Sequence, residues 1–192
     1  MSGRKKRKIN LKRRIFVVGE GITEQYYFSH LKAIRNYSCA IKPRFFCKTS
    51  ITQIEKVVEK LLMGDILVIC VFDADVSSRN PTENERLKSF KQRYKRNKCV
   101  IICDSLPSIE LWFLLHFVQT SRHFQSSKSV ERELRKHIKN YAKTKRYLEN
   151  PDWVRALSVN QDKAITNAKL LENLEGESYS NLYKAIDMLE DS

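Results

Sequence analysis

Hydrophobic positions along the chain switch between a strand-like period and a helical one, and the switch points are marked by turn residues. From Ile66 to Phe72 seven consecutive residues are apolar, too few for an ordinary helix and rich in β-branched types. That pattern predicts a buried central strand. Ahead of it, Ile15–Val18 predicts a short strand ending in Gly19-Glu20-Gly21, and Ile41–Cys47, interrupted by Pro43, predicts an edge strand. Cys99–Cys103 predicts a fourth, with Asp104 and Ser105 at its end.

Helical spacing fills the gaps between these strands. Thr23 reads as an N-cap with Glu24 in the first turn, followed by an apolar stripe through Tyr27, Leu31 and Ile34. Ile54, Val57, Val58, Leu61 and Leu62 line one face of a second helix, with Thr52 and Glu55 as a capping box and Gly64 as its stop. After Asn80-Pro81 a basic helix is expected over about Thr82–Arg96. Strand and helix thus alternate, which predicts an α/β fold: a four-stranded, mainly parallel sheet with right-handed crossovers and flanking helices. Pro107 then opens a helix over Ile109–Val118 that is apolar nearly all round and so predicted to be buried. A polar connector, Thr120–Lys128, leads to helices expected around Val130–Tyr141, Gln161–Glu175 and Asn181–Leu189. The expected organisation is a basic arm (1–14), an α/β domain (15–119) and a helical C-terminal extension packed on it (120–192).

Charge changes this picture from a generic α/β domain to one with a polyanionic partner. The net charge is +14 over 192 residues, and residues 1–14 hold eight Lys or Arg with no acid, leaving +6 for the rest. In the arm the residues expected to meet phosphates are Arg4, Lys5, Lys6, Arg7, Lys8, Arg13 and Arg14. The run from Arg86 to Lys98 carries seven bases and no acid, and Lys91, Arg93, Lys95 and Arg96 are expected to do the same there. Each run taken singly fits a solvated face; two of them favour nucleic acid, DNA or RNA, tRNA included. No apolar stretch is long enough to span a bilayer, so no membrane partner and a cytoplasmic location are expected. The five cysteines are odd in number and form no C-x-x-C pair, which reads as reduced core thiols.

The candidate chemistry sits where the strands end. Asp73 and Asp75 follow the central strand directly, and in open α/β sheets the working crevice lies beyond the carboxyl ends of the strands. Two carboxylates so close repel each other unless a proton or a cation intervenes, and the nearest base in sequence is Arg79. A hard divalent ion, Mg²⁺ or Mn²⁺, is the expected partner; an acidic strand-end turn is the competing explanation. Sheet geometry brings Glu20, and by the same logic Glu110, towards this pair. Gly19-Glu20-Gly21 is not a dinucleotide fingerprint, because Glu24 occupies its third glycine position and would repel a pyrophosphate. Asp73-Ala74-Asp75-Val76 matches the nucleophile motif of haloacid-dehalogenase-like phosphatases but ends the third strand rather than the first. No Walker A loop is present in the sequence. His116, inside the apolar helix, reads as a core histidine.

An acid after strand one, a DxD after strand three and a four-stranded α/β unit resemble the Toprim domain of topoisomerases, primases and OLD-type nucleases. More narrowly, Glu20–Phe28 (EGITEQYYF), Val71–Asp75 (VFDAD) and Ser105–Phe117 (SLPSIELWFLLHF) resemble the RloB family over nearly the whole chain, with Leu106 where the family usually has Asn. Tyr141-Ala142-Lys143 and Ala164–Lys169 resemble it more loosely. The resemblance implies a metal-dependent nuclease linked to restriction and abortive-infection defence, often encoded beside an ATPase, with self-association left open. It implies Glu20, Asp73 and Asp75 as metal ligands, Glu24 as the second glutamate of OLD-type sites, and Glu110 as a family-motif acid. For Glu24 and Glu110 a place in a first helical turn is an alternative explanation. The expected mechanism is phosphodiester hydrolysis, with Glu20 as ligand or general base and Lys143 offsetting transition-state charge. The opposing reading is a catalytically inactive module that binds nucleic acid or an ATPase.

Overall fold

The central strand β3 (Ile66–Asp73) is apolar from Ile66 to Phe72 because both of its faces are covered. The computed structural model describes residues 14–42, 50–74, 81–172 and 178–191. Leu67, Ile69 and Val71 face one core, and Val68, Cys70 and Phe72 face another. On either side lie β1 (Arg14–Gly19) and β4 (Val100–Leu106), both parallel to β3. Outside β1 runs β2 (Cys39–Lys42), parallel and at the sheet edge. The opposite edge is β5 (Tyr179–Ser180), antiparallel to Ser105 and Leu106 of β4. Among the described residues the sheet therefore has five strands in the order β2-β1-β3-β4-β5, one more than expected. Two residues are too short to show an alternating pattern, so β5 left no sequence signal.

Two helices cover the Val68 face: α2 (Ile51–Leu62) and α3 (Pro81–Tyr94). Ile54, Val58 and Leu61 of α2 and Leu87, Phe90 and Tyr94 of α3 supply the buried side chains. The other face packs against α1 (Ile22–Arg35) and α4 (Glu110–Leu115). Over these lie α5 (Ser127–Leu134), α6 (Lys145–Leu148), α7 (Asp152–Ser158), α8 (Gln161–Leu171) and α9 (Tyr183–Glu190). Their apolar residues join the same core as Tyr27, Trp112 and Phe113, so the C-terminal helices close the sheet rather than forming a separate unit.

Several boundaries depart from the expected ones. The N-cap of α1 is Gly21, not Thr23, and α2 is capped by Ser50, not Thr52. The Ser50 hydroxyl accepts from Gln53 N at 3.3 Å while Gln53 Oε1 accepts from Ser50 N at 2.9 Å. A serine followed by glutamine satisfies the same orphan donors as threonine followed by glutamate. Helix α4 is shorter than the predicted 109–118, and α5 ends before Tyr141. Helices α6 and α7 were not expected, being too short for a clear 3.6-residue stripe. Helix α3 ends at Tyr94, placing Lys95 and Arg96 in the following turn. The Leu106–Pro107 bond is cis. No helix among the described residues is long and apolar enough to cross a membrane.

Asp104 fastens the β4–β5 edge. It is buried, paired with Lys91 of α3, and accepts from Tyr179 OH at 2.6 Å and Asn181 Nδ2 at 2.8 Å. Burial alone would raise its pKa, but Lys91 and these donors hold it below the ordinary aspartate value. Its contribution to stability is accordingly present above the ordinary aspartate range and lost as pH falls through the lowered value. Asp104→Ala should cost about 2 kcal/mol, since it strands a half-buried ammonium and two side-chain donors. Urea unfolding measures this; an unchanged midpoint would show that the network contributes nothing.

Candidate functional site

Strand period places Asp73 on the same face as Leu67, Ile69 and Val71, the face that α1 and α4 cover. Asp73 Oδ1 accepts from the backbone N–H of Ile109 at 2.8 Å, which ties the end of β3 to the loop leading into α4. No hydrogen-bond donor among the described residues reaches its other oxygen. The Ala74 N–H donates to Ser105 O at 2.8 Å, continuing the β3–β4 ladder one residue past the strand.

Glu20 and Glu24 approach from β1 and α1. Glu20 is buried directly after β1, its N–H donating to Val71 O at 3.2 Å. Glu24, also buried, accepts from Gly21 N through Oε2 at 3.0 Å and so caps its own helix. The flanking glycines are there for space. A Cβ on Gly19 would stand 2.9 Å from Glu24 Cβ, and one on Gly21 2.9 Å from Glu24 Oε2. Gly21 itself is in ordinary extended backbone, so what it supplies is room and not a special backbone conformation.

Glu110 opens α4 with its side chain fully buried. Both oxygens are occupied: Oε1 accepts from Tyr141 OH at 2.8 Å, while Oε2 accepts from Ser108 Oγ at 2.6 Å and pairs with Lys143 Nζ at 2.9 Å. Lys143 also reaches Glu131 Oε1 of α5 at 3.4 Å. Glu110 thus holds a lysine in place, a different task from the metal ligation expected of it. Tyr141, Ser108 and Glu131 had no role in the sequence reading. The spacing of Tyr141 and Lys143, two residues apart in an irregular segment, is the signal that they share a side of the chain.

The acids feel one another. Burial, then the charges of Glu110 and Glu20, raise the Glu24 pKa to about 7 against the pull of a backbone hydrogen bond and Lys143. Asp73 is raised well above its ordinary value by burial, then by Glu24 and Glu110. Burial works against the Lys143 ammonium, but Glu110, Asp73 and Glu131 outweigh it and hold its pKa above the ordinary lysine value. The structure therefore brings Glu20, Glu24, Asp73, Glu110 and Lys143 into one electrostatic cluster. Among the described residues no group of three His, Cys, Asp or Glu side chains is already arranged to hold a metal ion. Asp75, the other half of the expected pair, lies outside the described residues.

The basic runs fare differently. Arg4, Lys5, Lys6, Arg7, Lys8 and Arg13 lie outside the described residues, and Arg14 is exposed at the start of β1. Lys91 is engaged by Asp104, and Arg93 by Glu55 at 2.7 Å and Glu59 at 2.8 Å. Lys95 and Arg96 are exposed and carry no ion pair among the described residues.

The protein is of the α/β class, a mostly parallel sheet with a cluster of carboxylates and a lysine beyond its strand ends among the described residues. Residues 15–189 match the family described as RloB-like protein, and the chain belongs to that family. Comparison with curated proteins and with solved structures finds no match.

The raised Glu24 pKa has a consequence for stability. A carboxyl that binds its proton more tightly in the folded chain stabilises it fully below the unfolded value of 4.5, and that stabilisation is lost as pH rises through about 7. In EDTA the melting temperature should fall by several degrees between about pH 5 and pH 8, and Glu24→Gln should flatten the slope. A wild-type profile that is flat or rising over this window would contradict the assignment.

Proposed function

We propose that this chain is a divalent-metal-dependent phosphodiesterase that acts on nucleic acid from a Toprim-like site. The observation that carries the reading is the crowding of buried Glu20 and Glu24 with half-buried Asp73 at the strand ends, where repulsion and desolvation already raise two of their pKa values. Such a crowd is relieved by a cation, and an all-carboxylate donor set fits a hard one, Mg²⁺ or Mn²⁺. Asp73, Glu20 and Glu24 would hold it together with Asp75. When bound, the ion supplies Lewis-acid chemistry, polarising a phosphoryl oxygen and making water more acidic.

The chain's own residues do the rest. Among the described residues Lys143 is the one cation in the cluster, and its side chain keeps about a third of its surface exposed although Glu110 and Glu131 fix it. It is placed to offset charge developing on a phosphoryl oxygen. Glu110 and Tyr141 are positioning residues that act through Lys143. Exposed Lys95 and Arg96, with the N-terminal arm, supply phosphate contacts that carry no sequence preference. The family resemblance adds support for a role in defence against phage, beside an ATPase partner.

The test is cleavage of labelled double-stranded DNA, single-stranded DNA and total RNA with Mg²⁺ or Mn²⁺. Asp73→Asn combined with Asp75→Asn should abolish cutting, and Lys143→Ala should slow it by on the order of 10²-fold. Failure of the wild type to cut any substrate while still binding nucleic acid would replace the enzyme by a binding module. Gly21→Ala offers a further check. Its Cβ displaces only the end of the Glu24 side chain, so the protein should fold with an unchanged circular dichroism spectrum yet bind Mn²⁺ more weakly in a calorimetric titration.

A further inference from the structure

The segment carrying Tyr141 and Lys143 is a partition with a second concavity behind it. Tyr141 and Lys143 turn towards Glu110, while the alternate residues Ala142 and Thr144 line a pocket of about 620 Å³ on the other side. That volume is within the range of small-ligand sites. Aromatic rings form much of its wall. Phe117 and His137 stack at 5.2 Å with planes 7° apart, and Tyr147 meets Trp153 at 6.5 Å and 33°. Tyr147 and Trp153 also contact the ring of Tyr141, whose hydroxyl reaches the acidic cluster.

The rim is cationic. Lys139 and Arg146 are exposed with no ion-pair partner among the described residues, whereas the lining acid Asp152 is neutralised by Arg155 at 2.8 Å. Asn140 and Asn150 add amide groups to the lining. Ring faces beside unpaired cations are the chemistry that takes a base by stacking and its phosphate by charge. Amides can meet the edge of an unstacked base, which a paired base does not offer. A duplex would present only its backbone here.

We propose that this pocket receives an unpaired base of a single-stranded nucleic acid, its phosphate held by Lys139 and Arg146. The proposal deepens the nuclease reading and rests on it for where the strand continues, over the partition to Lys143 and the acids. Base binding itself needs neither metal nor catalysis.

The experiment is fluorescence anisotropy in EDTA with the full chain and labelled single-stranded RNA, single-stranded DNA and a hairpin duplex, with mononucleotides and inorganic phosphate as competitors. Tyr147→Ala should weaken single-strand binding on the order of tenfold, the effect of one lost base stack, and Tyr147→Phe should restore it. Arg146→Gln should weaken it several-fold and lower the salt slope by roughly 0.7, the value for one phosphate on a single strand. Duplex binding should not change in the Tyr147 variants, whereas Arg146→Gln, which removes a phosphate contact, should weaken both substrates. Equal loss on the duplex in Tyr147→Ala, or full competition by inorganic phosphate, would reduce the pocket to a charged patch. Mononucleotides that bind as tightly as the single strands would make it a free-nucleotide site instead, and unchanged single-strand binding in Tyr147→Ala would overturn the proposal outright. Tyr147-dependent binding in a protein that cuts nothing would sink the nuclease reading and leave the pocket standing.

Discussion

Everything around the candidate site depends on satisfying one carboxylate. The Glu110 side chain is completely removed from water, a state that costs several kcal/mol unless its charge is paired and its lone pairs are filled. Three donors fill them: Ser108 from the loop after β4, and Tyr141 and Lys143 from the chain beyond α5. Two of the three therefore come from the C-terminal part of the protein. Detaching that part would strand a charge in the centre of the α/β layer. The ion pair is thus a structural tie between the sheet and its helical cover, and at the same time the device that brings an ammonium beside Asp73.

Compensation stops at Glu110. Glu20, Glu24 and Asp73 share its neighbourhood, but Lys143 is spent largely on Glu110 and Glu131, and its pull on Glu24 and Asp73 is too small to bring them to ordinary pKa values. Geometry keeps the acids there in spite of the repulsion. Glu24 is pressed over Gly19 and Gly21, where any larger residue would collide with it, and Asp73 is held by the Ile109 N–H. A surplus of negative charge preserved by backbone contacts is relieved by a proton or by a cation.

The layers of this fold were legible because burial on two faces leaves a strong mark. Ile66–Phe72 could be placed in the middle of the sheet from its unbroken apolar run, and the parallel arrangement of β1, β3 and β4 followed from alternation. Strand β5 and helices α6 and α7, of two, four and seven residues, were not legible, being too short for their own period to appear. Among the site residues, Glu20 and Asp73 were readable from their position after strands. The partnership of Glu110 with Lys143 was not, since it joins residues 33 apart through an irregular segment. The role of the glycines was not legible for a similar reason. What Gly19 and Gly21 accommodate is a side chain from the next turn of helix, and a sequence shows small residues without showing what comes close to them.

Asp73 and Asp104 show how the two faces of one sheet give similar acids different surroundings. Both lie at the carboxyl ends of adjacent parallel strands, and Asp104 pairs in register with Phe72, the residue before Asp73. That offset of one residue sends the two side chains to opposite faces of the sheet. Asp104 meets Lys91, Tyr179 and Asn181, which hold its pKa down and fasten an edge strand. Asp73 meets one N–H donor and further acids, and its pKa goes up. Residue type and position at a strand end are the same for both, so neither distinguishes them. The distinction lies in the partners each face supplies: one set completes a charge, and the other leaves it in deficit, which is the condition a bound cation or a proton resolves.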